Sequence, residues 1–302
     1  YNGRVRFGDS ACYFKKQLFA TALGMGVMYL VSSIDYHFFL KLGPVAYLIS
    51  MLLSGAVLLV GQEINGSRRW LNLGPLSFQP SEFAKFIMII FMSDYVIKNK
   101  NKLNGNFKSF LIFSIPLLLA FILIAKENLS TGIVVMAVGF MIMFVASNRV
   151  GNFVVFGMLG VLGFILLVIV EPYRMDRIKG WLDPWSDPSD TGYQVIQSLF
   201  AVASGGLFGL GIGQSRQKTF IPESYNDIIF AIICEELGLV GAIVVILLFA
   251  LLIWRGTKIA MTAKDKYSSY MATGITTMIA VQVIINISVV TRYRIQVCLC
   301  RL

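Results

Sequence analysis

The sequence predicts an all-α, polytopic membrane protein, and three observations predict it. Of 302 residues, 57% are hydrophobic and only 14% charged, with mean hydropathy +0.74; a soluble domain carries about 25% charged residues. The apolar residues form continuous blocks close to the ~20 residues that carry a helix across a bilayer. The loops between blocks alternate in character, basic and then acidic. In hydrocarbon every backbone group must be paired internally, so continuous blocks read as helices. A β-barrel would instead alternate apolar and polar residues along each strand.

Residues 1–16 are polar and basic. They lack the apolar core and cleavage site of a signal peptide, and no initiator Met is present, as expected of a fragment. Apolar spans are expected at 17–34, 43–61, 83–97, 109–125, 131–147, 151–170, 228–254 and 269–290. The 83–97 span is short, is interrupted by Asp94, and is expected to run beyond those limits. One set of loops holds Lys98, Lys100, Lys102 and Lys108, then Arg149, then Arg255, Lys258, Lys264 and Lys266. The positive-inside rule makes that side cytoplasmic. The outer loops are then 62–82, 126–130 and 171–227, which carry most of the acids. The net charge of +10 fits this topology, and no nucleic-acid partner is expected. Without an internal repeat or a low-complexity linker, residues 1–302 read as a single transmembrane domain.

Cys12, Cys234, Cys298 and Cys300 have no metal or redox spacing and read as small apolar fillers. His37, the one histidine, excludes a multi-His metal site; it is placed in the short loop between the first two spans.

The outer loop 62–82 is polar for its setting. Pro80 suits the first turn of a helix, Glu82 its positive end, and Lys85 can pair with Glu82 on one face. That is either a capped helix start or, with Arg69 and Gln79, a cradle for an anionic head group. Trp70 is either an interfacial anchor or a platform for a sugar. Asn128 and Ser130 are N-cap candidates for the 131–147 span.

In the long loop, residues 195–213 are apolar and carry Gly205, Gly206, Gly209, Gly211 and Gly213. They match no nucleotide-binding fingerprint. A helix and turn dipping into the membrane is expected there, tolerable where protein covers it. Arg216 and Lys218 place positive charge beside the acids of the same loop. Asp227 reads two ways, as the N-cap of the 228–254 span or as a general base against apolar walls. Glu235 and Glu236 interrupt that span, and a charge at bilayer centre costs about 2.5–3.5 kcal/mol on insertion scales. The two cannot face one direction, so one is expected to turn inward and find a cation or hydroxyl.

Taken together, several separated motifs resemble one family, the SEDS proteins (shape, elongation, division and sporulation). They are Arg69-Trp70, then Phe78-Gln79-Pro80-Ser81-Glu82 with Lys85, then Asn128-Leu129-Ser130-Thr131-Gly132. Gly192-Tyr193-Gln194, Gln197-Ser198, Ser204-Gly205-Gly206, Pro222-Glu223, Asp227, Phe230-Ala231 and Glu235-Glu236-Leu237-Gly238 follow in the family's order. The resemblance covers roughly residues 10–291. Arg177-Ile178, Trp181-Leu182-Asp183-Pro184 and Phe220-Ile221-Pro222-Glu223-Ser224 are nearer the division and sporulation branch than the elongation branch.

The resemblance implies a ten-helix bundle, of which about eight spans are present. It implies a glycosyltransferase of the bacterial cytoplasmic membrane that polymerises lipid II, an undecaprenyl-pyrophosphate-linked sugar, into peptidoglycan on the outer face. Asp227 matches the family's catalytic aspartate, and Arg69-Trp70 its essential pair. Gln79, Glu82, Lys85, Asn128, Ser130, Lys218 and Glu223 complete the expected substrate-binding set. Partners implied are lipid II, a class B penicillin-binding protein, other divisome proteins and membrane lipid. The leaving pyrophosphate calls for positive charge from Arg69, Lys85 and Lys218 or from a divalent cation, Mg or Mn, and no protein metal ligand is assigned. Three departures stand out: the family's first span is missing, Asn128 replaces a common Asp, and residues 292–302 do not match. Alternative roles for such a chain are a lipid II flippase or a non-catalytic scaffold that recruits a penicillin-binding protein.

Overall fold

The structure, a computed structural model, describes residues 12–64, 67–73, 76–170, 175–176, 180, 182–189, 192–219 and 228–291. Long helices form at all eight expected spans: α1 (Cys12–Ser32), α2 (Tyr36–Val60), α3 (Pro80–Lys98), α5 (Phe107–Glu127), α6 (Leu129–Ala146), α7 (Val150–Val170), α9 (Ile229–Thr262) and α10 (Lys266–Thr291). Two shorter helices join them, α4 (Lys100–Leu103) and α8 (Tyr193–Ser204). α2, α5, α6, α9 and α10 are long and apolar enough to cross a membrane.

One element departs from the all-helical expectation. The outer loop before α3 folds into a small antiparallel sheet, β1 (Gln62–Ile64), β2 (Ser67–Leu73) and β3 (Leu76–Phe78), in the order β1-β2-β3. β1 and β3 are too short to show a periodicity, and the seven residues of β2 do not alternate apolar with polar.

By internal packing the chain divides into residues Tyr1–Leu42 and Gly43–Leu302. The first unit holds α1 and the start of α2. Phe19, Met28 and Tyr29 are exposed on α1, as suits a helix facing lipid. Asp35 precedes α2 and accepts from the His37 backbone N–H (3.0 Å) and faces its ring nitrogen at 2.7 Å. The backbone donation, then the ring contact, hold the Asp35 carboxyl below its usual range. His37 therefore lies in the first turn of α2 rather than in the connecting loop.

In the second unit α3, α5, α6 and α10 enclose one apolar core. Phe110, Phe113, Met88, Met92, Val138 and Ile142 are fully or almost fully buried within it. Tyr47 stacks on Phe91, Phe91 on Tyr95, and Tyr95 on Phe113, with centroids 4.2–5.2 Å apart. The Tyr47 hydroxyl donates to the Pro116 carbonyl at 2.8 Å. This aromatic column ties α2 to α3 and α5. α10 fits against α3 and α6 through Gly274, where a side chain would meet Ile89 and Ile142. Asp94 is buried near the end of α3 and pairs one turn on with Lys98 at 2.6 Å.

Two basic connections meet at one end of this unit. The Asn104 side-chain oxygen accepts from the Ser147 hydroxyl and the Asn148 N–H, and Arg149 donates to the Gly105 carbonyl. The α3–α5 and α6–α7 turns are therefore latched together on the side that the charge pattern makes cytoplasmic.

Candidate functional site

The outer end is built on two helix starts and one helix interruption. Pro80 opens α3, where its missing N–H costs nothing. Glu82 sits in that first turn, and the Lys85 ammonium lies 2.9 Å from its carboxylate. Lys85 is buried, whereas Glu82 is half exposed. Gln79 occupies the cap position without a side-chain hydrogen bond. Strand β2 runs beside α3 and α5, and Trp70 on it is half-buried.

Asn128 is the whole connection between α5 and α6. Its extended backbone turns the chain, and its side chain accepts from the Thr131 N–H at 3.2 Å. Of the two cap candidates, Asn128 therefore fills the position, and Ser130 is exposed. Gly132 makes the sharp turn possible, because a side chain there would press on Ala125.

The third feature is a break in α9. Gly238 has φ +66° and ψ −165°, so the α-helical ladder stops there. The freed groups are paired by the glycine-rich loop that follows α8. Leu210 and Gly211 donate to the carbonyls of Glu235 and Glu236, and Leu239 and Val240 donate to those of Gly206 and Leu207. The expected helix and turn is thus present, with the turn stitched to the broken helix. The sequence reading of an unbroken 228–254 span missed this break; the glycine run announced a close backbone approach without naming its partner.

Beyond the stitch, the loop wraps the two glutamates. Glu235 is completely buried. It accepts from the Ser215 hydroxyl, from the Arg216 N–H at 3.0 Å and, at 3.4 Å, from the Gln217 N–H. Glu236 accepts from the Ser215 N–H and lies 3.6 Å from the Lys218 ammonium, which also donates to the Gly213 carbonyl. Glu235 therefore turns inward to a hydroxyl and Glu236 to a cation. Ser215 carried no sequence signal of this role.

An apolar groove of about 390 Å³ runs between α9 and α10. Ile229, Phe230 and Ile233 line it on α9, and Gln282 and Asn286 place two amides on its α10 wall. Asp227, Glu223 and the side chain of Arg69 lie outside the described residues. The cap position of α9 is Ile228. Among the described residues, no three carboxylate, imidazole or thiol groups converge to hold a metal ion.

A family model described as "Cell cycle protein", spanning FtsW, RodA and SpoVE, matches residues 1–292. The chain belongs to the FtsW/RodA/SpoVE family. It is 42% identical to stage V sporulation protein E of Bacillus subtilis (strain 168) over 294 residues, 95% of this chain and 79% of that protein. It is 34% identical to a probable peptidoglycan glycosyltransferase FtsW of Saccharophagus degradans over 295 residues, 95% of this chain and 76% of the relative. Among solved structures it resembles a chain of a peptidoglycan synthase complex described as coordinating polymerization and crosslinking. That match has TM-score 0.69 and 28% identity over 90% of this chain and 77% of the other. The rod shape determining protein RodA of Thermus thermophilus shares the fold, with TM-score 0.66 and 24% identity over 93% and 76% of the two chains. This FtsW/RodA/SpoVE-family chain is accordingly a multi-pass protein of the cytoplasmic membrane.

Proposed function

We propose that this chain is a peptidoglycan glycosyltransferase that polymerises lipid II at the outer face of the membrane. One observation carries the reading: Asp227 directly precedes the buried Ile228, and the apolar groove begins at Ile229 and Phe230. In sequence, Asp227 immediately precedes the residues that open an apolar groove, and a groove of that kind suits a polyprenyl chain. Relatives named as peptidoglycan glycosyltransferases support the same chemistry.

In this reading the acceptor's sugar hydroxyl attacks the anomeric carbon of the donor. The new glycosidic C–O bond forms as the bond to the lipid pyrophosphate breaks. Asp227 takes the hydroxyl proton, and the pyrophosphate leaves with its electron pair. Arg69, Lys85 and Lys218 are the candidate cations for that leaving group. Lys85 and Lys218 also pair with Glu82 and Glu236. Trp70, Gln79 and Glu223 would line the sugar path. No step is assigned to a divalent cation. The partner implied by the likeness to a synthase complex is a class B penicillin-binding protein that cross-links the product.

The test is reconstitution with labelled lipid II, with and without that partner. Asp227→Asn should fold normally and lose polymer formation by about 10²-fold or more. Full polymerisation by a folded Asp227→Asn variant would reject the reading; transbilayer movement of lipid without polymer would favour an exporter.

A further inference from the structure

α9 is two helices set end to end. Because Gly238 leaves helical geometry, the helix is interrupted between residues 229–237 and its long inner part. Besides the packing of Ile287 from α10, three contacts hold that outer half among the described residues. Short side chains of α8, such as Ala201 and Val202, pack on Ala231 and Cys234. The glycine loop supplies the backbone stitch. The carboxylate of Glu235 gathers the chain just beyond the loop.

That last contact is the most specific. Three successive backbone N–H groups close on the two glutamates, and a fourth closes on the Ser215 hydroxyl oxygen. Ser215 N–H meets Glu236, those of Arg216 and Gln217 meet Glu235, and that of Lys218 meets the Ser215 oxygen. The Ser215 hydroxyl passes its own proton contact to Glu235. A fully buried carboxylate left without such donors would be strongly unfavourable, so the loop and the half-helix must stay in register.

Glu235 lies about 10 Å along the helix from Ile228, at 1.5 Å per residue. It thus sits about two helical turns along α9 from the residue that follows Asp227 in sequence. We infer that Glu235 is a positioning residue: its buried carboxylate fixes the outer half of α9, the half that Asp227 precedes in sequence. This rests on the proposed glycosyltransferase reading for its kinetic consequence, though not for its structural one.

The experiment uses the full-length protein in lipid nanodiscs, with Glu235→Gln, Ser215→Ala and Ser215→Thr beside wild type and Asp227→Asn. Misplacement by about 1 Å can cost 10²-fold in rate. Glu235→Gln should therefore lower kcat by about 10–100-fold while KM for lipid II stays within about threefold. Ser215→Ala should show a smaller loss of the same kind, and Ser215→Thr, which restores the hydroxyl, should recover it. Amide exchange of Leu210, Gly211, Leu239 and Val240 should quicken in Glu235→Gln and Ser215→Ala and not in Asp227→Asn. A Glu235→Gln enzyme with wild-type kcat, or a rise in KM alone, overturns the inference. If Glu235→Gln does not fold, the Ser215 pair decides, and failure of Thr to rescue Ala overturns it. If Asp227→Asn polymerises normally, the glycosyltransferase assignment of Asp227 fails instead. Exchange then decides alone, and unchanged exchange overturns the clasp.

Discussion

The Lys85 ammonium and the Glu82 carboxylate are 2.9 Å apart on one face of α3, with the lysine side chain 5% exposed and the glutamate 48%. The pair is lopsided, so its two ends should respond differently to removal. Glu82→Gln strands a buried ammonium and should cost about 1–3 kcal/mol. Adding Lys85→Met, which fills the same space without charge, should recover most of that loss. Thermal unfolding in detergent checks both. A folded Lys85→Met protein that still polymerises lipid II would remove Lys85 from the leaving-group role.

Asn128 caps α6 through its side-chain oxygen. Asn128→Ala should destabilise the protein by about 1 kcal/mol. Asn128→Asp keeps the acceptor and adds negative charge at the positive end of α6, which favours the fold by about 0.3–1 kcal/mol. Polymer formation by Asn128→Asp should match wild type. A gain in kcat larger than the stability change would assign that carboxylate a direct part in catalysis.

Gly238 and Gly206 both have positive φ, at +66° and +54°, and differ in their surroundings. A side chain at Gly206 meets open space, whereas one at Gly238 meets the Leu207 carbonyl and the Gly209 nitrogen. Gly206→Ala should therefore show only left-handed backbone strain, about 1–2 kcal/mol. Gly238→Ala should lose more than that, about 3 kcal/mol or above, because the stitched backbones must separate. Paired unfolding measurements on the two variants test the difference.

The helices were legible because lipid leaves a chain few choices. A run of apolar residues in a bilayer must pair its own backbone, so α1, α2, α5, α6, α7 and α10 follow directly from their blocks. α3 was expected to outgrow 83–97 and does so at both ends, at Pro80 and Lys98. Its charges were also readable, since Glu82–Lys85 and Asp94–Lys98 sit at helical spacings. What stayed hidden depends on contacts far apart in sequence. Ser215 and Glu235 meet across a loop and a helix start, and nothing local to either marks the other. The interruption at Gly238 was masked by strong helix formers on both sides. The sheet at 62–78 was masked by the shortness of β1 and β3 and by the lack of alternation in β2.

That interruption also settles how high Glu235 and Glu236 sit. About 30 Å of helix separates Glu235 from Arg255 at 1.5 Å per residue, and Arg255 and Lys258 crowd the exposed indole of Trp254, as side chains at a water-facing boundary do. The fatty layer is itself about 30 Å thick. From Leu239 to Arg255 the inner part of α9 covers about 24 Å of that thickness, and the two acids lie beyond it, toward the outer rim. The insertion machinery meets an ordinary hydrophobic segment with its acids at the far rim, not a helix charged at its centre.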